Sequence, residues 1–389
     1  MTLEAKRCSR CLYDQNTPAI SFDDSGVCSY CRTHERLERE YPTGDEGERR
    51  LQTLAAQIKS EGRNRQYDCV VGISGGCDSS YMLYLVKERL GLRPLAVHFD
   101  NTWDSTIAVE NIHNLLQRLG VDLYTYVVDN VEYDDIYRAF MRAGVPDVDI
   151  PTDIALASTL YMAAARYGVR YTFEGHSFRT EGISPLGWAY MDARYIASVH
   201  RTYGSVRMKT FPNLWLWKFL YWAGVKKIKK VRPLYYVDYQ KEETKALLAR
   251  ELGWRWYGGH HLENRFTAFC HSYLMPRRFG RDLRALGYSA LIRSGQMTQA
   301  EGLRLLEEPH HLEPEIVDLV KKRLGFGDTE FERMMNLPHR TYREFRTYKK
   351  TFERLRWLFY LMWKADLIPQ SFYMKYTRPD PLPVPGGQR

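Results

Sequence analysis

Between residues 67 and 173, short apolar segments alternate with amphipathic helical ones, and this alternation constrains the fold more than any other feature. Four segments rich in Val and other apolar residues are predicted to be buried strands, namely 67–73, 94–99, 123–128 and 171–173. Helical segments lie between or after them, beginning at Asp78, Asp104, Asp134 and Asp153. Such alternation is typical of an α/β fold with a doubly wound parallel sheet. Because ligands of these sheets bind beyond the carboxyl ends of the strands, the residues that follow each strand are the candidates for a site.

Four cysteines near the N-terminus have the spacing of a metal site. Two residues separate Cys8 from Cys11 and Cys28 from Cys31, and sixteen residues lie between the two pairs. Four thiolates on two tight turns suit closed tetrahedral Zn²⁺ coordination, and the ion would hold together a segment too small for a core of its own. We therefore predict a structural zinc ribbon over residues 1–40.

The remaining sequence divides into two further regions. Residues 41–270 hold the predicted α/β domain, and residues 271–389 are polar, basic and helix-forming, ending in a Pro-rich tail at 379–385. The formal charge of +9 favours anionic partners without choosing among nucleotides, sugar nucleotides, RNA and acidic lipid. No apolar stretch is long enough to span a membrane, and Cys8 and Arg10 stand where a signal peptide would be apolar. We expect a cytoplasmic protein without a membrane span.

The segment that follows the first predicted strand has the composition of a phosphate-binding loop. It comprises Ser74, Gly75, Gly76, Cys77, Asp78, Ser79 and Ser80. Glycines let the backbone approach phosphate oxygens, hydroxyls donate hydrogen bonds, and the N-terminus of the following helix adds partial positive charge. Asp78 suits Mg²⁺, although an ordinary helix cap is the alternative. The segment has no G-x-x-x-x-G-K-[ST] lysine, so transfer of a γ-phosphoryl group is not indicated.

This segment, called the phosphate loop below, resembles the S-G-G-x-D-S-[ST] motif of the PP-loop ATP pyrophosphatases, which have an adenine-nucleotide α-hydrolase-like fold. The resemblance implies cleavage of ATP between its α and β phosphates. It places adenine and ribose near Asp100 and Asn101, after the second strand, with His98 as a packing residue.

The same resemblance points to two further segments. After the fourth strand come Gly175 and His176, expected near the nucleotide, and then Glu181, which would join Asp78 on magnesium. Lys241 stands in a segment similar to the R-P-L…K-x-E…L-G element of the family. It is a candidate for meeting phosphate charge, and an ordinary solvated lysine is the alternative.

Larger blocks of sequence resemble the N-acetyl sugar amidotransferase family of bacterial surface-polysaccharide synthesis. These blocks are the two cysteine pairs, 74–80, 174–182 and 256–264, and the resemblance extends over about residues 1–340. It implies that an N-acetyl group on a nucleotide-activated amino sugar becomes an acetamidine, in assembly of lipopolysaccharide O-antigen. The amide oxygen would be adenylated, ammonia would attack the imidate, and AMP and pyrophosphate would be released.

Residues 258–264 are our candidates for contacting the sugar. Paired glycines permit close approach of the backbone, and polar side chains follow them, so the expected contacts are Gly258, Gly259, Glu263 and Asn264. His260 or His261 is a candidate for taking a proton from ammonia or steadying the leaving phosphate. A metal site at these histidines is disfavoured because the sequence places no third ligand at a suitable spacing.

The source of ammonia is not recognisable in the chain. Cys69 falls in a predicted strand, Cys77 in the phosphate loop and Cys270 at a domain junction, so none has the setting of a glutaminase nucleophile. The family resemblance implies that partners supply ammonia, a glutaminase and a barrel-shaped channel subunit similar to those of histidine biosynthesis.

Two stretches that mix basic and aromatic residues, 213–231 and 340–363, are predicted to turn their aromatics to the core, with a membrane surface or a lid as alternatives. An RNA-modifying thiolase of the same PP-loop class is a competing function, disfavoured because the α/β domain has no C-x-x-C sulfur carrier, so we expect no nucleic-acid partner. A noncatalytic zinc-ribbon adaptor is also possible, and the intact phosphate loop argues against it.

Overall fold

The computed structural model describes residues 6–379 and contains five strands among many helices. The strands are β1 Cys69–Gly72, β2 Pro94–Asp100, β3 Leu123–Val127, β4 Tyr171–Phe173 and β5 Lys229–Val231. The helices up to the end of the sheet region are α1 Ser29–Glu40, α2 Gly44–Gly62, α3 Cys77–Tyr84, α4 Thr106–Leu119, α5 Asn130–Ala143, α6 Ile150–Arg166, α7 Ala193–Tyr203, α8 Leu216–Leu220 and α9 Lys241–Leu252. Those that follow are α10 Arg265–Phe269, α11 Met275–Phe279, α12 Arg284–Arg293, α13 Gln299–Glu307, α14 Ile316–Leu324, α15 Asp328–Met335, α16 Lys349–Arg354, α17 Arg356–Lys364 and α18 Gln370–Thr377. Helices α3, α8 and α10 each continue into one π-helical turn, Leu85–Arg89, Tyr221–Val225 and Cys270–Leu274, and 3₁₀ turns occupy Pro233–Tyr235 and Tyr342–Glu344.

All five strands are parallel, in the order β3-β2-β1-β4-β5. Successive residues of β1 face opposite sides, so that Val70 belongs to one hydrophobic cluster and Val71 to another. The first cluster lies under α5, α6 and α7, and the second under α2, α3, α4 and α9. The predicted doubly wound α/β sheet is therefore confirmed. Its strand order reverses direction between β1 and β4, which is where ligands of such sheets bind.

Capping residues set the first residues of the helices, and three helices begin at residues other than those predicted. The Ser105 hydroxyl accepts from Ala108 N at 3.2 Å and begins α4, and the Asp129 carboxylate accepts from Glu132 N at 2.9 Å and begins α5. The predicted starts at Asp104, Asp134 and Asp153 are therefore wrong by two to four residues. Asp134 instead lies inside its helix, where its carboxylate accepts from the Trp103 indole at 2.8 Å.

Two strand predictions need correction. β3 was expected to be buried, but it lies at an edge of the sheet and its Leu123 and Val127 are exposed. β5 was missed altogether, since Lys229, Lys230 and Val231 lack the apolar pattern of a buried strand and pair only with β4 at the other edge. The sheet thus has two edge strands that are partly exposed, on either side of a buried apolar centre.

The C-terminal region is helical, as predicted, and helices α14 to α18 share the hydrophobic cluster of α5–α7. The domain boundaries at 40 and 270 stay predictions. In the basic and aromatic stretches, Phe219 and Phe359 are buried as expected, whereas Trp217 and Trp357 are exposed by 64% and 63%. The Pro-rich tail lies outside the described residues except for Pro379.

Across residues 6–379, no helix combines the length and the apolar character needed to cross a membrane.

Candidate active site

The phosphate loop connects β1 to α3 at the point where the strand order reverses. Gly75 has a φ of +76°, and a Cβ there would lie 2.3 Å from the carbonyl oxygen of Ala108, so only glycine fits. The Ser79 hydroxyl accepts from Ser74 N at 3.2 Å, which ties the start of the loop to the first turn of α3. Ser80 faces the interior and is fully buried.

Side chains from outside the loop hold it in place. The Gly75 carbonyl accepts from the Trp254 indole at 2.9 Å and from the Asn111 amide at 3.2 Å. The Tyr257 hydroxyl accepts from Cys77 N at 3.3 Å. The loop is therefore a preformed turn at a helix N-terminus, a setting suited to anions.

Asp78 forms an ion pair with Lys241. The Lys241 ammonium lies 2.6 and 2.7 Å from the two carboxylate oxygens, and the Tyr239 hydroxyl donates to Oδ1 at 2.5 Å. Burial alone would raise the pKa of the Asp78 carboxyl, but the charge and hydrogen bond of Lys241, with the Tyr239 hydroxyl, hold it below its usual range. Asp78 is therefore a carboxylate, and Lys241 is not the solvated lysine of the alternative hypothesis.

The segment after β4 lies against the phosphate loop because Gly175 has no side chain. A Cβ there would lie 3.0 Å from the carbonyl carbon of Asp78 and 3.1 Å from Ser79 N. Glu181 lies in this segment and accepts from Ser177 N at 3.2 Å. Burial, and then the negative charge of Asp78, raise the pKa of the Glu181 carboxyl well above its usual range, against the opposing charge of Lys241.

The paired histidines lie beside these carboxylates. His260 Nδ1 is 3.9 Å from Asp78 Oδ2, and His261 Nε2 is 3.9 Å from Glu181 Oε2. The left-handed conformation of His261, with φ of +61°, brings the two rings to 3.7 Å. Glu181, His260 and His261 together form a group able to hold a metal ion. The expectation that no third ligand lies near the histidines is therefore wrong, because Glu181 is distant only in sequence.

Glu263 and Asn264, at the end of the candidate sugar segment, both form hydrogen bonds within the protein. Glu263 Oε1 accepts from the Ser74 hydroxyl at 3.1 Å, so this carboxylate is beside the phosphate loop. Asn264 caps α10 by accepting from Phe266 N at 3.1 Å. Gly258 needs its φ of +96°, and the His311 ring packs against its Cα face. Gly259 packs against the Leu262 side chain.

Residues after β2 are engaged with the protein. The Asn101 amide, 1% exposed, accepts from the Asn264 side chain at 2.9 Å and donates to the Tyr137 hydroxyl at 3.3 Å. The Asn101 side chain is thus engaged with Asn264 and Tyr137 inside the protein. Asp100 Oδ1 accepts a hydrogen bond from Thr102 N at 2.7 Å. His98 is buried and pairs with Asp104 at 3.1 Å, in keeping with a packing role.

Sequence reasoning missed two groups in the site. Tyr239 and Tyr257 contact the phosphate loop, and the only signal for Tyr239 is its position two residues before Lys241. A second ion pair follows β4, where Lys230 contacts Glu174 and Arg232 Nε lies 3.1 Å from Glu174 Oε2. His176 lies next to this pair, and its Nδ1 shares a hydrogen bond with the Tyr235 hydroxyl at 3.1 Å. Burial, and then the positive charge of Arg232, lower the pKa of His176 to about 3.

The four cysteines converge into a site that can hold a metal ion. Cys8 and Cys31 sulfurs are 3.8 Å apart, those of Cys11 and Cys28 3.7 Å, and those of Cys28 and Cys31 3.6 Å. The buried Arg293 of α12 donates to Cys11 at 3.2 Å and to Cys31 at 3.4 Å. A positive charge therefore accompanies the thiols.

The segment that begins with Arg293 also contacts the candidate active site. The Ser294 hydroxyl donates to the carbonyl of Arg179 at 2.8 Å, two residues before Glu181. Gln296 donates to the carbonyl of Tyr239 and accepts from Lys241 N, both at 3.0 Å. The four-cysteine site is thus joined to the partners of Asp78 through one short turn.

Residues 263–358 match the sequence model described as "LPS biosynthesis protein WbpG-like, C-terminal domain". This match agrees with the resemblance recognised in the sequence over the C-terminal part of the chain. The matched region begins at Glu263, whose side chain contacts the phosphate loop. It also includes Arg293, Ser294 and Gln296, which join the cysteine site to the candidate active site.

Two proteins and one solved structure illustrate the wider similarity. The uncharacterised protein MJ1599 of Methanocaldococcus jannaschii is 26% identical over 171 residues, 44% of this chain and 58% of that protein. The tRNA-specific 2-thiouridylase MnmA of Proteus mirabilis is 27% identical over 135 residues, 31% of this chain and 36% of that enzyme. The chain therefore spans less than two thirds of either relative. The NH3-dependent NAD synthetase of Campylobacter jejuni is 14% identical, with 68% of this chain and 99% of that one covered at a TM-score of 0.31.

Proposed function

From a PP-loop fold with a WbpG-like C-terminal domain, we propose that this chain is an ATP-dependent, AMP-forming amidotransferase acting on an N-acetyl group of a nucleotide-activated amino sugar. The observation that carries the proposal is the convergence of Asp78, Lys241 and Glu181 at a preformed phosphate loop. The product would be an acetamidine, used in lipopolysaccharide O-antigen or related surface polysaccharide. We place the enzyme in the cytoplasm, where ATP and nucleotide sugars are made.

The chemistry requires that the amide oxygen become a leaving group. Attack of that oxygen on the α-phosphorus forms an O-adenylated imidate and releases pyrophosphate. Ammonia then adds to the imidate carbon, AMP leaves, and a proton is lost. The protein must orient the amide and stabilise negative charge at phosphorus, and it needs no covalent nucleophile.

The residues of the site have distinct roles in this scheme. The phosphate loop holds the departing pyrophosphate, and Lys241, released from Asp78, pairs with a phosphate oxygen. His260 and His261 lie beside the carboxylates, where a neutral imidazole accepts a proton from the attacking ammonia. Burial lowers the pKa of His260 well below its usual range, which keeps it neutral and able to accept.

Two metal ions fit the chain. Asp78 and Glu181 would hold Mg²⁺, because hard carboxylate oxygens suit it, and the ion neutralises charge on the phosphates when bound. The four cysteines would hold Zn²⁺, since a Zn–S bond of about 2.3 Å gives a tetrahedron with edges of about 3.8 Å. The observed sulfur separations of 3.6–3.8 Å agree with a single ion. A structural role follows from the absence of an open ligand position among four thiolates.

We propose that ammonia comes from a partner glutaminase through a channel subunit. The three cysteines outside the metal site are all buried. Burial raises the pKa of Cys77 to about 11 and those of Cys69 and Cys270 well above their usual range, so none is a ready thiolate for glutamine hydrolysis.

The test is to incubate the zinc-loaded protein with Mg-ATP, ammonium and candidate acetamido sugar nucleotides. We expect AMP and pyrophosphate together with replacement of one sugar oxygen by NH, measured by mass spectrometry. Omitting ammonium or the sugar nucleotide provides the matched controls. Release of ADP and phosphate in place of AMP would refute the proposal.

A second candidate is favoured by the similarity to the tRNA-specific 2-thiouridylase. The same phosphate loop would then adenylate a base of tRNA. Binding of tRNA at physiological salt with a steep salt dependence would support this function, whereas weak and sequence-independent binding would oppose it.

A further inference from the structure

Glu263 occupies an unusual place for an acid, because its carboxylate lies inside the cradle of the phosphate loop. Oε1 accepts from the Ser74 hydroxyl at 3.1 Å. A Cβ on Gly76 would lie 2.7 Å from the same oxygen, so the glycine is what lets the carboxylate reach the loop backbone. The side chain comes from the segment before α10, more than 180 residues along the chain from Ser74.

Within residues 6–379, the second oxygen of this carboxylate has no hydrogen-bond partner. Glu263 is 8% exposed, and Oε2 is buried without a hydrogen bond. An ionised oxygen left unpaired in the interior is costly unless a cation meets it. The neighbouring Ser74 hydroxyl already donates to Oε1, so Oε2 is an unsatisfied acceptor that a bound cation can meet.

The other carboxylates of the site face the same region. Burial and the charges of Glu263 and Asp78 raise the pKa of Tyr257, whose hydroxyl accepts from the first amide of α3. Glu181 is also within electrostatic reach of both Asp78 and Glu263. Lys241 contacts Asp78 at 2.6 Å, and its charge also acts on Glu181, so one ammonium is shared between at least two acids of the site.

A carboxylate and a pyrophosphate cannot share one cradle through direct contact, because both are anions. A divalent cation between them removes the conflict, since Mg²⁺ commonly takes one or two carboxylates together with phosphate oxygens. Displacement of Glu263 by the nucleotide is the other possibility, and it would make the acid an inhibitor of binding.

We propose that Glu263 is a ligand of the divalent cation that accompanies the nucleotide, and does not contact the sugar. This inference rests on the proposed use of ATP at the phosphate loop. Glu263 thereby links the segment 258–264, which carries the paired histidines, to the binding of the cation and the nucleotide.

The test uses Mn²⁺ in place of Mg²⁺ and an ATP analogue with a methylene group between the α and β phosphates, with the full-length, zinc-loaded protein. Free Mn²⁺ is measured by electron paramagnetic resonance during titration. We expect Glu263→Gln to raise the Kd of Mn²⁺ in the nucleotide complex at least fivefold. Binding of the analogue without divalent metal should stay unchanged or tighten, because one negative charge near the phosphates is removed.

A smaller change in Mn²⁺ affinity, or tighter analogue binding with Mn²⁺ in the variant, would overturn the inference and indicate displacement of Glu263. Glu110→Gln is the matched control, since Glu110 is a surface acid paired with Arg255, and its Kd should equal that of the wild type. Glu263→Asp keeps the charge and shortens the side chain, so the Mn²⁺ spectrum of its complex should change; an identical spectrum opposes the inference even if Glu263→Gln fails to fold. Failure of the wild type to bind the analogue at all would instead refute the proposed function.

Discussion

The ion pair between Asp78 and Lys241 makes a sharp prediction, because breaking it should affect both chemistry and stability. The side chains are 14% and 12% exposed, and their charged atoms are 2.6 Å apart. Two unit charges about 4 Å apart, centre to centre, attract by about 4 kcal/mol at an effective dielectric constant of about 20. Removing one partner of such a pair strands the other charge and costs roughly 3–5 kcal/mol.

Asp78→Asn should therefore abolish AMP formation and also lower the free energy of unfolding by about 3 kcal/mol, because Lys241 keeps its charge without a partner. The double variant Asp78→Asn with Lys241→Met removes both charges. We expect it to recover most of the lost stability, to within about 1 kcal/mol of the wild type, while remaining inactive.

Chemical denaturation and an assay of AMP release measure the two effects separately. Asp238→Asn is the control, since Asp238 is exposed, lies in the same segment as Tyr239 and should leave both quantities unchanged. If Asp78→Asn is as stable as the wild type and the double variant is no better, the pair does not stabilise the fold. Wild-type AMP release by Asp78→Asn would remove Asp78 from the proposed metal site.

Three further predictions concern the metal site, pH and the loop. Arg293→Met should release zinc to a chelator about tenfold more readily, because two thiolates lose a charged donor; an unchanged rate in a chelator competition would contradict this. Burial lowers the pKa of His34 to about 3, below the value of about 6.5 in an unfolded chain. The unfolded state therefore binds more protons between these values, and stability decreases as the pH is lowered through this range. From pH 7.5 to 5.5 the wild type should lose about 1 kcal/mol more than His34→Leu in parallel denaturation curves. Gly75→Ala should cost about 2–3 kcal/mol through its positive φ and the clash with Ala108, whereas Gly44→Ala, with similar φ and open space, should cost about 1 kcal/mol; equal losses would refute the steric argument.

The central strands were predictable because burial leaves a dense apolar signal. β1 and β2 have both faces covered, and their Val and Leu residues mark them in the sequence. The edge strands β3 and β5 carry polar or exposed residues, so apolar content is a poor guide to them. It predicted β3 as a buried strand, although β3 is partly exposed, and it did not predict β5. Helix starts were displaced because Asp occurs both at caps and inside helices, where tertiary partners such as Trp103 satisfy it.

The phosphate loop, the cysteine spacing and the class of fold are properties of short segments, so the order of residues alone determined them. Which acids face the loop depends on contacts between segments more than a hundred residues apart, and only the tertiary structure decided those. It paired Asp78 with Lys241, set Glu181 beside the histidines, and placed Glu263 against the phosphate loop. The physical reason is that parallel strands bring their carboxyl ends to one edge of the sheet, where residues remote in sequence share one electrostatic environment.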